Sequence, residues 1–282
     1  MKFIIVGSGG CVSIPRALCQ CKVCIEARKK GFPYARCGCS LYLEDASLLI
    51  DTPEDINVAL NNTTIKTIDN IIYSHWDPDH TLGMRIIEQL KLEWLDYFEN
   101  KKPENKITVY GTEGIMNDIN GIRNIHGSFM NYYEYMGLIK WQIVKENIRI
   151  GNVSVTFLSV PTEKHVMVFV FESNGKKVVY APCDCKNFPT DDIIYNADLL
   201  IIGNTFVGDV LKNNVEIYEE HLLRKELHSI EDVIGIKNKF KIKNMIVTHI
   251  EEDWGKGFDE YKELEKKYEN IKFAYDGMII DV

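Results

Sequence analysis

The chain of 282 residues contains no apolar run of the roughly 18 residues that a membrane-spanning helix needs. Its first apolar run, Phe3–Val6 within MKFIIVGSGG, is too short for the core of an export signal and reads as a first strand. Membrane association is therefore not expected, and a cytoplasmic protein is. Without export, the eight cysteines are not expected to form a disulfide framework. Clustered thiols in a reducing compartment point instead to metal. An excess of positive charge is also missing. Lys and Arg total 33 against 41 Asp and Glu, a formal charge of −8. An acidic surface repels phosphate backbones, so no nucleic-acid partner is expected. No Ser/Gly or Pro linker, repeat or low-complexity stretch divides the chain, so it reads as one domain over 1–282. With 45% apolar residues it can bury a sizeable core.

Short β-rich runs recur: KFIIV, SLLID, NIIYS, KITVYG, VSVTFLSV, VMVFVFE, KVVYA, DLLIIG and NMIVTH. Each is bounded by turn residues or by helical stretches. Leu82, Ile86, Leu90 and Trp94 stand four apart and predict an amphipathic helix over 81–98. Ser229, with Asp232 three residues on, predicts the start of a helix over 229–239, and 258–269 reads as a charged helix near the end. This pattern predicts layered sheets covered by helices. GSGG at 7–10 lacks the spacing of a phosphate-cradling loop and reads as a tight turn.

The chemistry concentrates in SHWDPDH, residues 74–80. Four potential ligands, His75, Asp77, Asp79 and His80, come directly after a buried strand. Residues two apart on an extended stretch point the same way, so His75 and Asp77 can reach one cation. Pro78 turns the backbone and lets Asp79 and His80 reach a second.

HWDPDH resembles the His-x-His-x-Asp-His loop of the metallo-β-lactamase superfamily. The other signatures of that superfamily appear in order: Asp51 in LLIDTPED, His165 in VPTEKHVMVFVFE, Asp184 in KVVYAPCD and His249 in NMIVTHIEEDWG. The resemblance implies a four-layer αββα sandwich and two divalent cations. His75, Asp77 and His165 would hold one, Asp79, His80 and His249 the other, with Asp184 bridging and Asp51 in support. Such a pair activates water for attack on phosphorus or a carbonyl, with Asp79 also orienting the water. Asp77 stands where the superfamily has histidine, and a harder ligand either tilts the first site from zinc towards manganese or iron or leaves it weakened and often empty.

CQCKVC places Cys19, Cys21 and Cys24 at a spacing suited to a structural zinc. With GSGG and the later RCGCS, this opening (cysteine segment about 11–39) resembles the phosphoribosyl cyclic phosphate phosphodiesterase of phosphonate breakdown, itself related to a protein of pyrroloquinoline quinone biosynthesis. The resemblance implies Glu252 as fourth zinc ligand, with Cys37 and Cys39 as rivals. It also implies His228 as a substrate contact or proton donor to the leaving oxygen. Cys183 and Cys185 fit small buried positions, with a further metal role left open. The expected activity is hydrolysis of a small phosphodiester, cyclic in kind. The alternatives are a thioester- or lactone-type carbonyl substrate, or a non-catalytic relative that binds a metal or cofactor precursor. Residues 94–140, rich in Trp and Tyr, read as an inserted region forming a pocket wall or a homodimer contact.

Overall fold

The computed structural model describes all residues, 1–282. In its first half the chain lays down β1 (Lys2–Gly7), β2 (Ser40–Leu43), β3 (Leu48–Ile50), β4 (Asn70–Ile72), β5 (Ile107–Gly111) and β6 (Ile139–Ile143). The second half adds β7 (Asn147–Ile150), β8 (Val153–Ser159), β9 (Met167–Ser173), β10 (Lys176–Ala181), β11 (Leu199–Ile202), β12 (Asn244–Val247) and β13 (Ile271–Phe273). A last strand, β14 (Ile279–Asp281), returns to pair with β1. Two seven-stranded sheets result, ordered β14-β1-β2-β3-β4-β5-β6 and β13-β12-β11-β10-β9-β8-β7. Strands β3 to β6 run parallel, as do β10 to β13.

Alternation explains why the second sheet reads as unbroken apolar runs. In β9, Met167, Phe169 and Phe171 join the core between the sheets, while Val168 and Val170 face the helices outside. Val178 and Tyr180 of β10, and Leu199 and Ile201 of β11, repeat the inward pattern. A strand buried on both faces keeps no polar side to mark its period. Phe3 of β1 meets Phe171 of β9 edge-on at 5.6 Å, which joins the sheets face to face. The outer helices Ile230–Lys239 and Phe258–Glu265 cover the second sheet, and Ser229 caps the first of them through a reciprocal bond with Asp232. The arrangement is the mixed α/β sandwich expected.

Two expectations fail. The predicted helix 81–98 is broken into Pro78–Thr81, Ile86–Lys91 and Trp94–Phe98. Leu82, Leu90 and Trp94 are exposed, and Met84, Ile86 and Ile87 are buried instead. Gly83 is the reason: its amide bonds the Thr52 carbonyl, and a Cβ there would collide with the Pro53 carbonyl, so the chain bends onto that loop. Residues 94–140 are likewise no simple insertion, because they contain β5 and the start of β6 within the first sheet. Of their aromatics Tyr110 and Tyr133 are buried, whereas Trp94, Tyr97, Phe98, Phe129, Tyr132 and Tyr135 are exposed.

The parallel strands matter most for the placement of ligands. Asp51, the 74–80 loop, Cys183–Asp184 and His249 leave the carboxyl ends of β3, β4, β10 and β12. Such ends are where open parallel sheets gather ligands. At the opposite ends of β10 to β13 a larger depression of about 820 Å³ is lined by Lys176, Asp198, Lys243 and Glu265, without histidine or cysteine.

Candidate metal centre

Asp51 organises the histidines from behind. It comes after β3 in the left-handed region (φ 63°) and is fully buried. Its Oδ1 accepts from the Ser74 amide at 2.7 Å; its Oδ2 accepts from the Ser74 hydroxyl at 2.7 Å and from His80 Nδ1 at 2.9 Å. Having spent its proton on Asp51, the Ser74 hydroxyl accepts from His75 Nδ1 at 2.9 Å. This bond order assigns a proton to Nδ1 of both rings and turns both Nε2 lone pairs inward. Replacing Asp51 with Asn removes the acceptor that fixes these tautomers. Metal affinity is expected to fall by roughly 10–100-fold, read by competition with a chelator.

The inward face has the makings of a cation site. His80 Nε2 lies 3.4 Å from His249 Nε2, and Asp79 Oδ2 lies 3.4 Å from each. His75 Nε2 and His249 Nδ1 are buried without a hydrogen-bond partner. Asp77 Oδ2 is 3.5 Å from His75 Nε2, a charge contact and no hydrogen bond. A buried, unsatisfied nitrogen costs about 1–3 kcal/mol, which a bound cation would offset. The ligand atoms fall into three overlapping sets, each within 4.8 Å: Asp79, His80 and His249; His75, Asp77 and Asp184; His75, His80 and Cys183.

Charge supports the same reading. Burial opposes charging of the imidazoles, yet the surrounding acids outweigh it. His75 is held up at about 9, with Asp77 and Cys183 responsible, and His80 at about 10, chiefly by Asp51. Burial likewise opposes ionisation of Asp79 and Cys183, but His249 and its neighbours hold both well below their ordinary ranges. Positive charge is what this pocket lacks, and protons and a cation would compete to supply it.

The structure departs from three of the expected roles. His165 turns outward; its ring is 54% exposed and its Nδ1 bonds Asp118 at 2.7 Å. Lys164 turns in instead, with Nζ 2.8 Å from Asp184 Oδ2 and 3.4 Å from Asp77 Oδ2. Adjacent residues on a loop leading into a strand face opposite ways, and here the lysine has the inner side. Asp184 groups with His75 and Asp77 but not with Asp79, His80 and His249. His228 bonds the Cys185 carbonyl through Nε2 at 2.9 Å and lines a separate depression with Pro161, Lys186 and Asp232. Burial holds its pKa down, and the ring does not reach the cleft over the centre. Cys183 is no inert filler: its thiol sits among the histidines and accepts from Asn204 Nδ2 at 3.0 Å. Sequence reasoning left its metal role open because cysteine is also a common small core residue.

Over the centre lies a cleft of about 570 Å³. Asp77, Asp79 and His249 line its floor, and Leu211, Val215, Leu227 and Trp254 its wall. Most of that wall comes from the 204–227 segment, which carried no sequence signal, and the aromatics of 94–140 take no part in it.

The second cluster gathers Cys19, Cys21, Cys24 and Glu252 within 4.8 Å. Cys21 caps the helix Lys22–Lys30, and its thiol meets Glu252 Oε2 at 3.1 Å. Lys212 Nζ donates to both Glu252 oxygens, at 2.6 and 2.7 Å. Cys37 and Cys39 lie elsewhere: the Cys37 amide bonds Asp276 and the Cys39 thiol lies 3.5 Å from the Tyr180 hydroxyl. Three thiols with a carboxylate form a donor set that fits zinc.

Comparison with known proteins agrees with this architecture. The family model of the beta-lactamase superfamily domain matches residues 47–250. A diphosphatase from the PhnP family is similar in structure at 19% identity, with TM-score 0.70 over 100% of this chain and 97% of its own. Zinc-bound PqqB from Methylobacterium extorquens is similar at 20% identity, with TM-score 0.73 over 100% of both chains. The short form of human tRNase Z shares 14% identity, with TM-score 0.60 over 100% of this chain and 99% of its own. No curated protein matches the sequence. The family model takes in every element that carries the central histidines and carboxylates, and the chain belongs to the beta-lactamase superfamily.

Proposed function

We propose that this protein is a metal-dependent hydrolase of a small phosphodiester, cyclic diesters foremost. The observation that carries the reading is the cluster of Asp79, His80 and His249, beside the unpartnered Nε2 of His75, on the floor of an open cleft. A divalent cation held there by Asp79, His80 and His249 would polarise a phosphoryl or carbonyl oxygen and make water nucleophilic at neutral pH. Asp79, kept ionised by His249 and His80, is placed to bind the cation and orient that water. The Lys164 ammonium at the rim, 49% exposed, offers an anionic ester a cationic side chain on the His75 side. A cleft of this size suits a small molecule, and the net charge of −8 disfavours a polymeric phosphate. A diphosphatase among the structural relatives supports phosphate chemistry. The three thiols and Glu252 are proposed as a separate structural zinc site.

The test is turnover of bis(p-nitrophenyl) phosphate by the zinc- or manganese-loaded chain, set against an acyl-thioester panel. Diester cleavage that disappears in Asp79→Ala supports the proposal. Thioester cleavage alone moves the assignment to the carbonyl chemistry. One observation favours a second reading, non-catalytic binding of a cofactor precursor: Lys164 fills the acid pair Asp77–Asp184. Tight binding of such a molecule without turnover of any ester would establish it.

A further inference from the structure

Cys183 takes no part in the proposed hydrolysis, yet it holds a central position. Its side chain is buried, and its sulfur lies within 4.8 Å of the nitrogens that His75 and His80 offer. His75 is fully buried, and its unpartnered Nε2 belongs to the same set. Asn204 steadies the sulfur from the far side. Asp184 comes next in the left-handed region (φ 49°), and this turn presents the thiol to the histidines and the carboxylate to Lys164.

We infer that Cys183, together with His75 and His80, ligates the central cation that Asp79 and His249 also face, and that the Lys164 ammonium occupies the position between Asp77 and Asp184 that a second cation would take. The inference rests on reading the cluster as a metal centre, as the proposed function does. The centre then holds one cation, because a second would have to expel an ammonium already paired with both carboxylates. That cation is thiophilic, zinc or cadmium in preference to manganese, because a thiolate is a soft donor. This reverses the preference expected from Asp77 alone. On ligation the sulfur binds as thiolate, and the protons that leave to solvent come from the imidazoles paired with it.

The test is metal counting and cadmium NMR on the full chain, stripped and reloaded with cadmium alone. Two equivalents are expected, one at the three-thiol cluster and one in the centre, the second resonance displaced downfield by a single sulfur. Cys183→Ser is expected to keep both equivalents and move only that resonance upfield. Cys183→Asp, which supplies a carboxylate in the same place, should do likewise and guards against a serine variant that misfolds. Lys164→Met is expected to raise the count to three. A central resonance unmoved in both Cys183 variants overturns the inference, as do three equivalents in the unaltered chain or two in Lys164→Met. Absence of cadmium from the centre overturns it together with the hydrolase proposal. The expected spectra without ester turnover leave it standing and overturn the hydrolase proposal alone.

Discussion

Asp79→Ala is expected to empty the centre while leaving the sandwich folded. The carboxylate lies 3.4 Å from both His80 and His249 and is partly exposed at the cleft floor, so its removal takes away a ligand without opening the core. Metal content should fall by one equivalent. Diester turnover should drop by more than the roughly 10–100-fold typical of a lost supporting hydrogen bond. The pH dependence has a definite sign. In the stripped chain His75 and His80 carry pKa values of about 9 and about 10, above the ordinary 6.5. Their charging therefore contributes stability that is complete below pH 6.5 and fades as pH climbs through 9 to 10. A cation displaces those protons, so metal affinity should rise across the same interval and binding should acidify a weakly buffered solution. Calorimetry in two buffers of different ionisation heat reads the proton count. Affinity that falls with rising pH would contradict the assignment of His75 and His80 as ligands.

The second large effect is expected at the thiol cluster. Cys21→Ser, or zinc removal by a chelator, should unfasten the segment around the helix Lys22–Lys30. That segment has little packing of its own, since its apolar contacts centre on the small cluster of Ile14, Val23 and Ala27, with Tyr34 and Ala35 against it. Structural zinc contributes about 10 kcal/mol in small zinc-dependent domains. Even a loss of about 3 kcal/mol would lower Tm by roughly 5 °C at this chain length. Hydrogen exchange should show amides of 22–30 losing protection while those of 167–173 keep theirs. Lys212→Met serves as the contrast, because it removes a partner of Glu252 but no thiol.

The fold could be read from the sequence because strands buried on both faces declare themselves as apolar runs, as in MVFVF of β9. The 75–80 ligands were legible for a local reason: they come after a strand with almost no intervening chain. His249 stands after β12 in the same way. Direction was illegible where no strand imposes it. Between 160 and 166 nothing in KH says which residue faces in, and the choice of Lys164 over His165 changes the chemistry of the first position. CDC poses the same problem, since only the left-handed turn at Asp184 sorts thiol from carboxylate. The apolar spacing of 82, 86, 90 and 94 misled for another reason. A tertiary contact at Gly83 overrode a helical period that four side chains alone would support.

The stretch 249–252 bears a ligand candidate of each cluster, His249 at one end and Glu252 at the other. It is clamped by the first turn of the chain: the Ile250 amide bonds the Ser8 carbonyl at 2.9 Å, and the Cys11 amide bonds Glu251 Oε1 at 2.8 Å. Any coupling between two sites on one span is reciprocal. If occupancy of the thiol cluster tightens the centre, occupancy of the centre must tighten the thiol cluster by the same factor.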